Sequence, residues 1–320
     1  MKTYRNKRNW SKYNRKLTRI ARIDFFISKR AITNWYYEGK RAPGGKRIYS
    51  NHVIELCLLM KEFYYLPYRQ TQGFVASIFD SKNPGLLVPN YTTLSRRARE
   101  LEVMIRNKHL IKKTKEAIVV AVDSTGLSIY SRSEWNRIKH GKNSKLTATQ
   151  KWRKLHVAID IKSGEILDCK YTKAAVSDSL ELPAMLNNIP EDISGVCGDM
   201  AYDTINCRRA VKLRNARQLI PPIKLARLSK DSKENRKYHD ILEERDEAIR
   251  YIKHNSINGD QSLARKSWKE KIGYHVRSLV ESTMWQIKSH CSDCLSNKLE
   301  STRATQAKIK CKVINLILAA

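Results

Sequence analysis

The chain has 320 residues, which is enough for two domains, and its 62 Lys and Arg against 31 Asp and Glu give a formal net charge of +31. A charge of this size indicates an anionic partner, most commonly nucleic acid held through its phosphates. No apolar stretch approaches the length of a membrane span, and no apolar signal core follows the basic first residues. We therefore expect a soluble cytoplasmic protein with no membrane partner.

The first segment, residues 1–48, is basic and aromatic, and its only acids are Asp24 and Glu38. It predicts an N-terminal arm that faces nucleic acid, partly ordered by its aromatic side chains. A disordered basic tail is the alternative, although such tails rarely hold so many aromatics.

A small helical domain is predicted over residues 49–112. Apolar residues recur at helical spacing over 53–63 and 74–79, and a third helix opens at the hydroxyl-rich stretch 91–93. A short helical unit whose last helix runs into arginines is typical of a helix-turn-helix reader of DNA, and a bundle with a solvated basic face is the alternative. The candidate DNA contacts are Arg96, Arg97 and Arg99.

The pattern changes to strands at residue 117. A β-branched apolar run over 118–122 ends in Asp123, which predicts a buried strand that presents a carboxylate at its end. A second short apolar strand, 195–197, is followed by Asp199. Further strands are predicted at 127–130, 152–160 and 218–220, helices near 177–186 and 205–215, and a charged helical insertion at about 224–270 with a helix near 233–254. A basic loop, 131–151, and the neighbouring Arg153 and Lys154 are suited to a DNA backbone.

The stretch 273–288 predicts a helix. At 100° per residue, Tyr274, Arg277, Glu281 and Lys288 form one polar stripe. The acid suits a divalent metal ion and the two bases suit phosphate oxygens. An i,i+4 Arg–Glu pair on a solvated face is the alternative interpretation.

Three carboxylates are expected to converge. Asp123 and Asp199 would emerge at one end of neighbouring strands, and Glu281 could reach them from a covering helix. Because three like charges repel, divalent cations would relieve them. Taken singly, an Asp after a strand is often only a turn former or helix cap, which is how we interpret Asp160 and Asp203.

These residues carry a resemblance. The order Asp123, Asp199, Glu281 resembles the acidic triad of DDE transposases with a ribonuclease-H-like core. The spacing of Tyr274, Arg277, Glu281 and Lys288 resembles the Tyr-Arg-Glu-Lys signature of one large group of bacterial insertion-sequence transposases. Met200 departs from the family, which often has Gly after the second Asp. Similar surroundings lie at 66–74, 89–97, 122–126, 152–156 and 198–203.

The resemblance implies an α/β fold: a ribonuclease-H-like mixed sheet flanked by helices over residues 113–320, preceded by the small all-α helix-turn-helix-type domain. It implies a DNA transposase that binds terminal inverted repeats, hydrolyses the phosphodiester at the element end and transfers the freed 3′-hydroxyl to target DNA in cut-and-paste transposition. Two Mg²⁺ or Mn²⁺ ions would be held by Asp123, Asp199 and Glu281. Arg277 and Lys288 would hold phosphates, and Tyr274 would pack by the DNA backbone.

The implied partners are double-stranded DNA, as terminal repeats and as target, and a second copy of the chain in a homodimer that pairs the two ends. The expected location is the bacterial cytoplasm, in association with the nucleoid. Two alternatives stay open. An inactive copy, which the slightly early stop of the chain would suit, would act only as a DNA-binding protein, and a stand-alone nuclease of the same fold would cut without joining.

Overall fold

The computed structural model describes residues 9–40, 47–82, 85–106, 116–129 and 152–320. The helices are α1 (Trp10–Ile20), α2 (Lys29–Thr33), α3 (Asn51–Phe63), α4 (Tyr68–Lys82), α5 (Tyr91–Arg97), α6 (Asp178–Asn188), α7 (Ile205–Leu213), α8 (Glu243–His254), α9 (Ser262–Lys271), α10 (Ser278–Cys291) and α11 (Glu300–Ala319). The strands are β1 (Ile118–Ile129), β2 (Trp152–Asp160), β3 (Ile166–Lys173), β4 (Ile193–Cys197), β5 (Arg217–Leu219) and β6 (Cys294–Leu295). The loop expected at 131–151 lies outside the described residues. Within these described ranges, no helix combines the length and apolar character needed to cross a membrane.

The chain forms two compact units, Met1–Val103 with Asn297–Ala320, and Met104–Ser296. The first unit is helical, and the three helices predicted over 50–102 are confirmed as α3, α4 and α5. Two of them begin at capping side chains: Ser50 accepts from the Val53 amide and Asn90 from the Thr93 amide.

The last helix belongs to the helical unit, whereas the expected boundaries placed all of residues 113–320 with the sheet. A buried polar network accounts for this difference. The carboxylate of Glu62 on α3 accepts from Lys61 at 2.7 Å, from Gln306 at 3.0 Å and from Lys310 at 3.2 Å. Because all four side chains are buried, each needs the others as partners, and this ties α11 to α3. Such pairing across 244 residues leaves no local trace in the sequence.

The second unit is built on a mixed sheet of order β3-β2-β1-β4-β5, with β6 paired to β1. β2 runs antiparallel to both of its neighbours, β1 and β3, while β4 runs parallel to β1, and β5 runs parallel to β4. The expected class, a mixed sheet flanked by helices in a ribonuclease-H-like arrangement, is confirmed.

Two strand predictions need correction. The strands expected to end at Asp123 and to restart at residue 127 are one strand, β1, because its antiparallel ladder with β2 runs unbroken from Val120 opposite Asp160 to Ser128 opposite Trp152. The polar residues after Val122 therefore stay in the sheet. β3 was not predicted. It follows the turn at Gly164, whose φ of 74° is left-handed, and pairs with β2.

Helices cover both faces of the sheet. Val120 and Val122 of β1 pack with Leu182, Leu186 and Val211 of α6 and α7 in one core. Because side chains alternate along a strand, Asp123 points to the opposite face, where α10 packs on β1 and β2. The site face is thus the α10 face.

In the charged insertion, the helix expected near 233–254 begins only at Glu243, and two short 3₁₀ turns, Ser229–Asp231 and Arg236–Tyr238, precede it. The buried carboxylate of Asp246 accepts from the amide and the hydroxyl of Ser229. These hydrogen bonds hold the Ser229–Asp231 turn against α8, and the helix does not extend back to residue 233.

Candidate active site

Asp123 lies where the parallel part of the sheet ends. Ala121 is the last residue of β1 that pairs with β4, opposite Cys197, so the two strands separate beyond it. The Oδ1 atom of Asp123 accepts from the Ser124 amide at 2.8 Å, and Oδ2 accepts from Nη1 of Arg277 at 2.6 Å. Past Asp123 the strand pairs with β2 and, from Ser128, also with β6, which leaves the carboxylate beside the gap at the end of β4.

Asp199 enters the same gap two residues after β4. Its Oδ1 atom accepts from the Ala201 amide at 2.8 Å and caps the 3₁₀ turn Met200–Tyr202. The preceding Gly198 is required by packing, because a Cβ there would stand 2.9 Å from the ring of the buried Tyr202 and 3.2 Å from Val122. The close approach of the β4 end to β1 holds Asp199 beside the Asp123 strand.

The expected single helix over 273–288 is wrong in its first turn. Gly273 has a left-handed φ of 72°, Tyr274–Arg277 form a 3₁₀ turn, and α10 begins at Ser278. Tyr274 therefore departs from the helical stripe. Glu281 and Lys288 both lie on α10, and their separation of seven residues keeps them on one face. Glu281 is in the first turn of α10, where the helix dipole favours a negative charge.

Arg277 joins two of the three carboxylates. Its Nη1 atom donates to Asp123, and its Nη2 atom donates to Glu281. The pair with Glu281 has the i,i+4 spacing that the sequence suggested, whereas the pair with Asp123 spans 154 residues and has no local sequence signal. Arg277 therefore forms more than an Arg–Glu pair on a solvated face, because it also contacts the half-buried Asp123.

Asp199 and Glu281 both act electrostatically on Asp123. Burial raises the pKa of Asp123, and the negative charges of Asp199 and Glu281 raise it further. The Ser124 amide and the Arg277 guanidinium act in the opposite direction and lower that pKa. A carboxyl whose pKa is raised by two like charges is the expected signature of a crowded acidic site.

Tyr274 faces the same site although it lies outside the helix. Burial raises the pKa of its phenol, and Cys197, Asp199 and Asp123 add to the increase while Arg277 opposes it. Its carbonyl accepts from the Cys197 thiol at 3.9 Å. The phenol is therefore held neutral, with its proton available for donation to an anionic ligand.

The acids suit a divalent ion in their chemistry, because Mg²⁺ prefers carboxylate and water oxygens. Across the described ranges, no three His, Cys, Asp or Glu side chains are grouped closely enough to enclose a metal ion. Mg²⁺ is usually bound by one or two carboxylates together with waters and substrate phosphates, and the described side chains do not by themselves form a cage for it. The negative charges around Asp123 would favour a cation bound there.

Arg153 and Lys154, the expected contacts to a DNA backbone, lie on β2, and each donates a hydrogen bond to a neighbouring group. Lys154 pairs opposite Gly126 and so points to the face away from Asp123, where its ammonium donates to the Val176 carbonyl at 2.9 Å and to Asp178 at 3.0 Å. Arg153 is half-buried, and its guanidinium donates to the Trp152 carbonyl at 3.0 Å.

The three arginines of the helical unit have different environments. Arg96 and Arg99 are exposed. Arg97 is buried and donates to the Tyr49 carbonyl at 2.9 Å and to Asn51 at 2.5 Å. We therefore correct the assignment of Arg97, which holds the start of α3 and has no free donor face for DNA. Its burial depends on partners more than 45 residues away, which local sequence does not reveal.

Comparison with known proteins places the chain in a family. Two family models described as "Transposase DDE domain" match it, one over residues 18–132 and the other over residues 114–318. The solved structure of the Drosophila P element transposase strand transfer complex is similar at 10% identity and a TM-score of 0.31, covering 96% of this chain and 86% of that one. Because the second model alone matches more than half of the residues, the chain belongs to the family of transposases with a DDE domain.

Proposed function

We propose that this protein binds the terminal inverted repeats of its own element, cleaves the DNA at their ends and joins the freed 3′-hydroxyl to target DNA, in a reaction that needs divalent metal ions. The observation that carries the proposal is the electrostatic coupling of Asp123 to both Asp199 and Glu281 around one guanidinium. An acidic centre with an adjoining Arg is suited to a phosphodiester, which needs positive charge on its oxygens as it is cut.

Asp123, Asp199 and Glu281 would hold the metal ions. A pair of bound divalent ions supplies activation of the attacking oxygen and stabilisation of the leaving oxygen. The negative charges of Asp199 and Glu281 raise the pKa of Asp123, and bound divalent ions would offset them. The Ser124 amide donates to one oxygen of Asp123 and leaves the second to face the centre.

Arg277 has a double role in this proposal. Without substrate it neutralises Asp123 and Glu281. When cations neutralise those carboxylates, its planar guanidinium becomes free to bind two oxygens of a DNA phosphate. The Tyr274 phenol, kept neutral by burial, donates a hydrogen bond to the same backbone, and Lys288 adds a positive charge two turns along α10.

Helix α1 is our candidate for the DNA contact of the N-terminal arm. Within α1, Lys12, Arg15, Lys16 and Arg19 are cations, and the helix has no acid. Lys16 is half-buried and the other three are exposed, so at least three positive charges are open to solvent. Such a helix neutralises phosphates without reading sequence, and each contact would steepen the dependence of binding on salt. Arg96 and Arg99 are the candidates for contacts of the helical unit.

Paired ends imply two copies of the chain, and we propose a homodimer in the complex with DNA. We propose that the protein acts on DNA in the bacterial cytoplasm, at the nucleoid. We propose that the protein belongs to the group with the Tyr-Arg-Glu-Lys signature, because the spacing of Tyr274, Arg277, Glu281 and Lys288 fits that signature.

The test uses purified full-length protein and linear DNA that carries the element's two ends. We expect cleavage and joining with Mg²⁺ or Mn²⁺, none with EDTA, and none in Asp123→Asn. Asp192→Asn is the matched control, because Asp192 is exposed and precedes β4 as Asp199 follows it. That variant should cleave like the wild type.

Two other outcomes would replace the proposal. Salt-sensitive binding to the ends without cleavage in any metal would indicate an inactive copy that only binds DNA. Cleavage without joined products would indicate a stand-alone nuclease. Full activity in Asp123→Asn would exclude the carboxylate centre itself.

A further inference from the structure

Trp285 is a large aromatic side chain left in water on the helix that carries Glu281. One face of α10 is buried through Val280, Thr283, Met284 and Ile287. Trp285 points away from that face and is 68% exposed. Single exposed apolar side chains are common on protein surfaces, so the role of Trp285 rests on its position and its neighbours.

The position of Trp285 relates it to the carboxylate centre. It follows Glu281 by four residues and precedes Lys288 by three, and both spacings place side chains next to each other on a helix surface. Four residues correspond to about 6 Å along the axis. The ring therefore stands about one helical turn from the acid that we assign to the scissile phosphate.

The surroundings of the ring suit a flat ligand. On the side of Trp285 away from Glu281 and Lys288, the neighbours along α10 are Ser278, Ser282 and Ser289, which are small and exposed. Small side chains leave the ring face accessible, while the cation of Lys288 on the opposite flank attracts an anionic backbone. A planar aromatic surface beside positive charge is the arrangement that binds unpaired nucleotides, because bases stack on the ring and phosphates meet the cation.

We infer that Trp285 is a stacking platform for an unpaired nucleobase next to the phosphate at the Asp123, Asp199 and Glu281 centre. The inference rests on the proposed function, since it assumes that this centre receives DNA. It adds a residue outside the Tyr-Arg-Glu-Lys spacing that positions the strand end. Stacking is tolerant of base identity, so Trp285 would hold the end without specifying its sequence.

The probe is a 20-base-pair duplex with a three-nucleotide 3′ single-stranded extension that carries 2-aminopurine, compared with the blunt duplex, both in EDTA. The wild type should prefer the extended duplex and quench its 2-aminopurine. In Trp285→Ala, affinity for the extended duplex should fall about 5- to 150-fold, with little change for the blunt one. Trp285→Phe should retain much of the preference and Trp285→Leu should lose it, because stacking needs an aromatic ring and not only an apolar one.

Leu279→Ala is the matched control. Leu279 is also exposed on α10, at 41%, but lies about 120° round the helix from Trp285. It should behave like the wild type. Circular dichroism and light scattering on each variant check that folding and oligomeric state are unchanged.

Equal preference for the extended duplex in the wild type and Trp285→Ala would overturn the inference, and so would a loss that follows dissociation of a dimer in light scattering. These results are separable from the proposed function. Metal-dependent cleavage of element ends by a wild type that shows no stacking would refute only the role of Trp285. Stacking by a wild type that never cleaves would support the role of Trp285 and refute the proposed reaction.

Discussion

Asp199 and Asp203 lie four residues apart, and the same Asp→Asn change should have opposite consequences at the two positions. The Asp203 side chain is fully buried. It accepts from Nε of Arg208 at 2.7 Å, from Nε of Arg245 at 3.0 Å and from the Ile223 amide at 2.8 Å. Asp199 is half-buried, and its one described acceptor role is the cap on Ala201.

The magnitudes follow from these partners. Asp203→Asn removes the carboxylate that pairs with the two buried guanidinium groups, of which Arg245 keeps only a 3.9 Å contact with Asp246, and breaking buried ion pairs in this way costs about 3–5 kcal/mol. In a unit of 193 residues (296 − 104 + 1), that corresponds to a fall of about 6–20 °C in Tm. Asp199→Asn keeps the cap, since Asn caps a helix about as well as Asp, and its Tm should stay within about 4 °C of the wild type.

Thermal unfolding and cleavage of element ends are measured on both variants. We expect Asp199→Asn to be folded and inactive. We expect Asp203→Asn to be strongly destabilised, with activity that is retained at temperatures where it is folded. A Tm fall in Asp199→Asn as large as that in Asp203→Asn would refute the division of roles, and so would a stable but inactive Asp203→Asn.

Asp123→Asn should unfold at a temperature equal to or above that of the wild type at pH 7. The raised pKa means that the stability contributed by the neutral carboxyl is present below its ordinary pKa and is lost as pH rises through the raised one. The two proteins should therefore converge in melting scans at low pH, and a gap that widens as pH falls would contradict the sign. Mn²⁺ binding should weaken as pH falls through the same raised pKa, and in Arg277→Gln this loss, followed by electron paramagnetic resonance, should begin at higher pH because a cation that lowers the pKa is gone. Arg97→Ala should destabilise the helical unit by about 1–3 kcal/mol in urea unfolding through loss of buried hydrogen bonds, whereas Arg96→Ala should stay within about 0.5 kcal/mol. Equal effects of these two arginine substitutions would count against the burial of Arg97.

The strands were predictable where a local pattern matched the final pairing. The apolar run over 118–122 and the stretch 152–160 appear as β1 and β2 because their residues are buried in the sheet. The pattern failed where a polar sequence is held by a neighbour. Asp123 and the residues after it suggested a strand end, but pairing with β2, 24 to 34 residues away, carries β1 on to Ser128.

The sequence suggests the candidate acids but not the geometry around them. The order of the three acids and the i,i+4 spacing of Arg277 and Glu281 are visible along the chain. The left-handed Gly273 that starts a 3₁₀ turn, and the contact of Arg277 with Asp123, depend on how α10 packs on the sheet. Trp285 was missed because its only sequence signal is its spacing from Glu281, which a buried aromatic could equally have.

The central claim is that Asp123, Asp199 and Glu281 share divalent ions. Its most direct test is a Mn²⁺ titration of the protein with element-end DNA, with free Mn²⁺ measured by electron paramagnetic resonance. We predict that Asp123→Asn, Asp199→Asn and Glu281→Gln each weaken Mn²⁺ binding at least about tenfold, or about 1.4 kcal/mol, while Asp192→Asn binds like the wild type. Unchanged Mn²⁺ binding in any one of the three would remove that carboxylate from the site and contradict the account.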